Sequence, residues 1–162
     1  MIKFVTPLVT SLTLVAALAA GPAGAAPKAR TYENPHKNVL RTVVRAGFNV
    51  QFDKGECLKN PNLFGYVAPG PKIFMICLRN ARFAGQAYRT IRHEALHVAQ
   101  YCNGWRPLKP DLSDYFISRA QDNGWHILGY PEHQWRVEAE ARVLADWYSA
   151  QEVTRTLRKY CF

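Results

Sequence analysis

Two histidines stand four residues apart in the stretch His93-Glu94-Ala95-Leu96-His97, with a glutamate directly after the first. A helix advances about 100° per residue, so His93 and His97 would project from one face, one turn apart. One metal ion could then accept a nitrogen atom from each. Glu94 would lie beside the ion, where it could take a proton from water and later deliver it to a leaving amine. The pattern predicts a site for metal-assisted hydrolysis.

The alternative is a surface helix that carries two histidines, with Glu94 in an ion pair with Arg89 or Arg92. With only 5 histidines in 162 residues, random order would produce the motif in well under about one chain in a hundred. The apolar residues around the motif also suit a buried helix, and no proline interrupts it. The sequence therefore favours the metal site.

A catalytic zinc ion needs a third protein ligand and an open position for water. The residues after His97 lack the glycine and histidine of the metzincin extension, so the third ligand must come from farther along the chain. The candidates are His126, His133, Glu138 and Glu140.

The segment RVEAEARVLADW, residues 136–147, follows the HEALH motif some forty residues later. Together the two segments resemble the motif pair of gluzincin-type zinc metallopeptidases, in particular the CAAX-prenyl-protease and HtpX-like group. In that group a downstream helix carries E-x-x-A-D or E-x-E-A-D, and its first glutamate binds zinc. The resemblance implies that Glu138 is the third ligand. Arg142 stands where the family has an aspartate that would orient a ligand histidine, and Asp146 is the candidate replacement.

Helix geometry separately favours Glu138 over Glu140. Glu138 lies at the margin of an apolar arc, whereas Glu140 lies farther round the helix. The arc consists of Val137, Ala141, Leu144, Ala145 and Tyr148. Its two small alanines would let this helix approach the histidine helix closely. His126 and His133 stay open as alternatives.

Two further roles are less well defined by the sequence. The resemblance implies an open edge strand beside the active-site helix, to which a peptide substrate would add as a further strand, and the segment 73–77 is the candidate. The alternative is a core strand. An oxyanion stabiliser is also expected near the metal. Its candidates, with none preferred, are Tyr101, His126, Tyr130 and Tyr148.

The elements that must position these residues follow from periodicity and from glycine and proline. A helix is predicted from Asn34-Pro35 to Gly47, followed by a strand over 48–52 and two apolar runs, 63–67 and 72–78, around a turn. Helices are then predicted over 85–102 and 111–122, and a long one from about 131 to 157. The fold class predicted is α+β and zincin-like, with a small antiparallel sheet packed on the active-site helix and helices at the C-terminus.

The first residues predict export. Lys3 precedes an apolar run from Phe4 to Ala20, and small residues follow at 23–25, which is the pattern of a cleavable signal peptide. We expect a signal peptide over 1–25 and a single domain over 26–162, without a stable membrane span after cleavage. The protein would then be secreted or periplasmic.

The four cysteines agree with export, because an even number in an exported chain favours disulfides. Cys57 and Cys77 flank the predicted hairpin, and Cys102 ends the predicted central helix. Four cysteines allow three connectivities, and the sequence alone does not select one. Of the three, we favour Cys57–Cys77 with Cys102–Cys161. The second pair would attach the C-terminus to the helix that carries the histidines.

The formal charge of +9 allows contact with anionic partners. Lysine and arginine are scattered along the chain without a nucleic-acid-binding motif, so no specific nucleic acid is expected. The function predicted is an exported zinc-dependent metallopeptidase with a peptide or protein substrate. His93, His97 and Glu138 would hold Zn²⁺, and Glu94 would act as general base. The alternative is a zincin-like scaffold of weak or no activity, which binds zinc and a protein or an anionic surface polymer.

Overall fold

The computed structural model describes residues 35–81, 83–125 and 127–162, which lie within one compact unit. The predicted signal peptide over 1–25 lies outside these residues. The elements in chain order are α1 (Pro35–Arg45), β1 (Asn49–Phe52), β2 (Gly65–Ala68), β3 (Ile73–Ile76), α2 (Ala84–Cys102), α3 (Ser113–Asp122), α4 (Trp135–Trp147) and α5 (Ala150–Cys161). Short 3₁₀ turns lie between several of them. The α+β class predicted from the sequence is confirmed.

The three strands form one sheet in the order β1-β3-β2. β3 pairs with β2 as an antiparallel hairpin and with β1 in parallel, so the sheet is mixed. The prediction of an antiparallel sheet was wrong. The chain crosses over after β1, so that β3, the second strand of the hairpin, lies beside β1 and pairs with it in parallel. β3 is therefore the central strand, and the proposal that the segment 73–77 is an open edge was also wrong. β2 is the edge strand on the other side of the hairpin.

Helix α2 runs through the centre of the molecule and packs against α1, α4 and α5 on one side and β2 and β3 on the other. Its residues Ala95, Leu96, Val98 and Ala99 are fully buried. On α4, the buried alanines 139, 141 and 145 leave little side chain between the two helices. This close packing follows the alanine-rich arc expected from the sequence and places α4 beside the two histidines.

The long C-terminal helix predicted from about 131 to 157 is two helices in the structure. Tyr148 is extended, with φ −85° and ψ 133°, and ends α4. Ser149 then begins α5 with a capping box: its hydroxyl accepts a hydrogen bond from Glu152 N, and the Glu152 carboxylate accepts one from Ser149 N. The sequence Ser-x-x-Glu carries this signal, which the sequence analysis did not use.

Two disulfides link the elements, with the predicted pairing. Cys57 bonds Cys77, and Cys102 at the end of α2 bonds Cys161 at the end of α5. Their sequence separations of 20 and 59 residues correspond to a stabilisation of the folded state by about 3–4 kcal/mol for each disulfide, from loop-closure entropy.

Within the part of the chain that the structure describes, no helix is long and apolar enough to cross a bilayer.

Candidate metal centre

Two histidines of α2 and one glutamate of α4 meet where these helices pack together. Nε2 of His93 lies 3.1 Å from Nε2 of His97. The Glu138 carboxylate lies 3.6 Å from the first nitrogen and 3.1 Å from the second. All three side chains are shielded from solvent, with 17, 13 and 6% of their surface exposed. The structure therefore brings together the three residues predicted as ligands.

Gln100, one turn after His97, fixes the orientation of that histidine. Its amide nitrogen donates to the carbonyl of Val137 and to the Glu140 carboxylate, over 2.8 Å in each case. Both partners are acceptors only, so the amide oxygen must face Nδ1 of His97, at 2.7 Å. Nδ1 is then the atom that carries the proton and donates. In a neutral imidazole this leaves Nε2 as a bare lone pair directed at His93 and Glu138.

Three electron-pair donors thus converge on one point, and a cation is needed between them. Ligand atoms at about 2.1 Å from a tetrahedral zinc ion are about 3.4 Å apart. The two nitrogens are 3.1 Å apart, and Oε1 and Oε2 of Glu138 lie 3.6 Å from His93 Nε2 and 3.1 Å from His97 Nε2, respectively, which is near that value. Two imidazoles and a carboxylate are also a common donor set of catalytic zinc sites. The residues fit a metal ion.

The pKa values of the metal-free site agree with this need for a cation. Burial lowers the pKa of His97, but the hydrogen bond to Glu138 and the charges of Glu94 and Glu138 outweigh burial and raise the pKa overall. Burial and the neighbouring charge on His97 lower the pKa of His93 to about 3. Burial raises the pKa of Glu138, yet the histidines and Arg142 lower it overall to about 2. The two acidic neighbours of His97 thus favour a positive charge at this point.

Glu94 completes the cluster from the other side. It forms with His93 and His97 a group whose potential ligand atoms all lie within 4.8 Å of one another, and this group could hold a metal ion. The side chain is buried, and burial raises its pKa to about 7. Among the described residues no group donates a hydrogen bond to it. A buried carboxylate that faces a cavity without a partner is a mark of a functional group.

Glu140, the alternative ligand, has a different task. It is fully buried, and its carboxylate accepts hydrogen bonds from Gln100 Nε2, from Leu108 N and from Lys109 N, over 2.7–2.8 Å. Its acceptor sites are thus directed away from the histidines. Glu140 connects the residue that orients His97 to the loop that follows α2. The sequence analysis missed this connection.

Arg142 stands where the gluzincin-type pattern has an aspartate, and its side chain is hydrogen-bonded to Glu138. Its Nε donates to Glu138 Oε1 over 2.8 Å, and its terminal nitrogen lies 3.3 Å from the hydroxyl of Tyr130. Asp146, the candidate replacement, forms an ion pair with Arg89. His97 receives its side-chain hydrogen-bond partner from Gln100 instead.

A cavity of about 620 Å³ opens over the cluster. Its wall includes the edge strand β2 on one side and the start of α4 on the other. Beside the polar residues of the cluster, the lining includes four residues with apolar side chains or rings: Leu63, Tyr66, Val67 and Val137. A second, more polar cavity of about 240 Å³ adjoins it and shares His93, Glu94 and Tyr130. The candidate centre therefore lies in the floor of a cleft and is accessible to a ligand.

β2 approaches the cluster closely because residue 65 is glycine. A Cβ added to Gly65 would lie 2.8 Å from Thr90 Cγ2, 2.9 Å from Met75 O and 3.0 Å from Glu94 Cγ. These distances are below ordinary contact. Any side chain at this position would displace either the strand or Glu94.

The remaining candidate ligands and oxyanion stabilisers differ in their distance from the cleft. His133 lines the larger cavity but is exposed, and its ring lies within hydrogen-bond distance of the Gln134 side chain. Tyr101 packs between Phe48 and Trp105 and lines neither cavity. Tyr148 packs against the core. His126 lies outside the described residues. Of the candidate oxyanion stabilisers that the structure describes, Tyr130 is the one at the cleft.

Comparison with known proteins places the chain in a family without adding a function. No curated protein and no solved structure matches it. The model of one family, described as a domain of unknown function (DUF8637), matches residues 4–162. The match spans nearly the whole sequence, and the chain therefore belongs to the DUF8637 family.

Proposed function

We propose that the protein is an exported zinc-dependent metallopeptidase. The observation that carries the proposal is the convergence of His93, His97 and Glu138 within 3.6 Å next to the buried, unpartnered Glu94. A structural metal site would be closed by a fourth protein ligand, whereas catalytic sites keep one position open. Here His93, His97 and Glu138 all line the cavity, so a further ligand could reach an ion that they would hold. Glu94 lines the same cavity, and burial of its charged form costs folding free energy.

We take zinc as the metal because the HExxH spacing on a helix is typical of zinc metallopeptidases, whereas calcium or magnesium would require more oxygen ligands. When bound, zinc lowers the pKa of water to about 7 and polarises a carbonyl group. Gln100 keeps the His97 lone pair directed into the site. Arg142 holds the Glu138 carboxylate in position.

Glu94 would act as general base and then as general acid. It takes a proton from the attacking water and transfers it to the nitrogen of the leaving amine as the peptide bond breaks. Its burial raises the pKa of the carboxyl above the usual range, and a raised pKa favours uptake of the proton from water. Tyr130 keeps its hydroxyl proton, since burial and the charge of Glu138 raise its pKa. That hydroxyl can donate a hydrogen bond to the developing oxyanion.

The edge strand β2 supports an extended peptide as the substrate. Phe64 O accepts a hydrogen bond from Cys77 N, and residues alternate along an antiparallel pair between facing the partner and facing away. The backbone groups of Gly65 and Val67 therefore face away from β3, toward the open edge. Both residues line the cavity. A peptide could add to this edge as a further strand.

Export is the setting in which the two disulfides would form and persist. Both are compatible with an extracellular protein. Together with the signal-peptide pattern at the N-terminus, they support secretion or transfer to the periplasm.

The test is hydrolysis of an unfolded protein mixture by the zinc-loaded chain. We expect cleavage by the wild type, loss of cleavage after chelation, and a decrease of at least about a hundredfold for Glu94→Gln with zinc content unchanged. Glu56→Gln is the matched control, because it removes the same charge at an exposed ion pair with Lys59. Equal cleavage by wild type and Glu94→Gln would rule out Glu94 as the base. Stoichiometric zinc without cleavage by either protein would favour the zinc-binding scaffold.

A further inference from the structure

The exposed sides of α1 and α5 carry almost only positive charge. Each helix buries one apolar face in the core, and the residues on its opposite face are exposed. Six of these exposed residues are cations: Lys37, Arg41, Arg45, Arg155, Arg158 and Lys159. The one acid on the two helices, Glu152, is engaged with Ser149 in the capping box. We call the six cations, with the exposed Val44 and Phe162, the basic face.

The basic face is a product of the fold. In the sequence its two halves are more than a hundred residues apart, and the cations look scattered. In the structure α1 packs directly against α5, and the Arg45 guanidinium lies 5.1 Å from the centre of the Phe162 ring. The other exposed acids of the described residues lie elsewhere, in the turns, in α3 and, as Asp146, in α4. Charge is thus segregated on the surface.

Two apolar side chains lie among these cations. Val44 is 55% exposed and Phe162 is 61% exposed. A nucleic acid or an acidic polysaccharide would neutralise the cations but would offer a lone valine no apolar environment. The boundary between lipid headgroups and acyl chains accommodates both kinds of side chain at once.

The basic face is separate from the cleft. No residue of α1 or α5 lines either of the two cavities beside the candidate metal centre. A partner bound to the basic face would leave the cleft open. The face also uses none of the proposed metal ligands, so it can be tested whether or not the metallopeptidase proposal holds.

We propose that the basic face binds an anionic lipid surface, with its cations on the headgroups and Val44 and Phe162 entering the interface. The test is co-sedimentation of the purified full chain with vesicles. Vesicles of phosphatidylglycerol and phosphatidylcholine are compared with vesicles of phosphatidylcholine alone, which account for any apolar attachment by the N-terminal segment. We expect binding that depends on the anionic lipid and weakens with salt.

Removal of charge from the basic face should weaken this binding about fivefold for each cation, hence about a hundredfold for three. The test variant is Arg155→Gln/Arg158→Gln/Lys159→Gln. The control variant has the same net charge but changes exposed cations elsewhere: Lys54→Gln/Arg79→Gln/Arg119→Gln. We expect the control to lose only a few-fold. Equal losses in the two variants would mean that net charge alone acts and would overturn the proposal.

Phe162→Ser distinguishes a lipid surface from a soluble polyanion. We expect it to weaken vesicle binding and to leave binding of a DNA duplex unchanged, because only the bilayer offers the ring an apolar environment. Vesicle binding that Phe162→Ser does not change, together with equally tight binding of the duplex, would assign the basic face to a polyanion and overturn the proposal. Absence of binding to anionic vesicles would also overturn it.

Discussion

The side-chain oxygen of Gln100 accepts a hydrogen bond from Nδ1 of His97 over 2.7 Å. The amide cannot turn round without losing its bonds to Val137 O and Glu140. One side chain on the histidine helix therefore decides which nitrogen of His97 is available to a metal. Metal-binding histidines commonly receive this support from a carboxylate or a backbone carbonyl. Here an amide held by a buried carboxylate supplies it.

Gln100→Leu should lower zinc affinity by about tenfold to a hundredfold, because His97 loses the partner that fixes its tautomer and ring orientation. Competition with a chromophoric chelator measures the affinity. Thr154→Val is the control, since it also removes a buried hydrogen bond, to Ala150 O, but far from the cluster. Unchanged zinc affinity in a folded Gln100→Leu protein would contradict the role assigned to Gln100.

Glu138 and Glu140 stand two residues apart on α4, and their substitutions should have opposite effects on zinc binding and stability. Glu138→Gln should lose zinc affinity by a hundredfold or more, on the order of the loss expected for a ligand. Glu140→Gln should retain stoichiometric zinc but lower the free energy of unfolding by about 1–3 kcal/mol, because an amide nitrogen would face backbone N–H donors of Leu108 or Lys109. Metal analysis and urea unfolding of both variants measure this contrast. The reverse pattern would make Glu140 the ligand.

Glu94→Gln should stabilise the metal-free protein, and more so at high pH. A carboxyl whose pKa rises on folding, from 4.5 to about 7, costs stability once the pH exceeds the unfolded value. The full cost, on the order of 3 kcal/mol, is reached above pH 7. Urea unfolding in the presence of a chelator should therefore show a gain for Glu94→Gln at pH 8 that nearly vanishes at pH 4.5. A gain in stability that does not depend on pH would mean that folding does not raise the pKa of Glu94.

Gly65→Ala tests the close approach of β2 to Glu94. The added Cβ would meet three atoms at 2.8–3.0 Å, so we expect a loss of about 1–3 kcal/mol in the free energy of unfolding. Turnover should fall more than zinc content, because the strand and Glu94 move while the three ligands stay in place. Gly70→Ala is the control, since nothing lies within 4 Å of its Cβ position. Wild-type turnover and stability in Gly65→Ala would contradict the contact.

The local parts of the site could be predicted from the sequence. The spacing of His93 and His97 depends only on helix geometry, and the alanine-rich arc together with the family resemblance indicated Glu138 rather than Glu140. The ligand roles themselves stay predictions. The pair Cys57–Cys77 also had a local basis, because the two cysteines flank one hairpin, whereas Cys102–Cys161 joins residues far apart in the sequence.

The parts that depend on tertiary packing could not be predicted. Gln100 and Glu140 are ordinary polar residues in the sequence, and only the contact between α2 and α4 makes them partners. The strand order is set by the crossover after β1, which leaves no trace in the alternation of apolar residues. The division of the long C-terminal helix at Ser149 could have been predicted, because the sequence contains the capping-box pattern of Ser149 and Glu152.

The most direct test of the metal centre is the zinc content of the purified protein, measured by elemental mass spectrometry after dialysis against metal-free buffer. We predict about one zinc ion per chain for the wild type and for Glu94→Gln, because Glu94 is the base and not a ligand. His97→Ala should retain almost none. A wild type that holds no zinc when zinc is supplied, or a His97→Ala protein that holds as much as the wild type, would contradict the site.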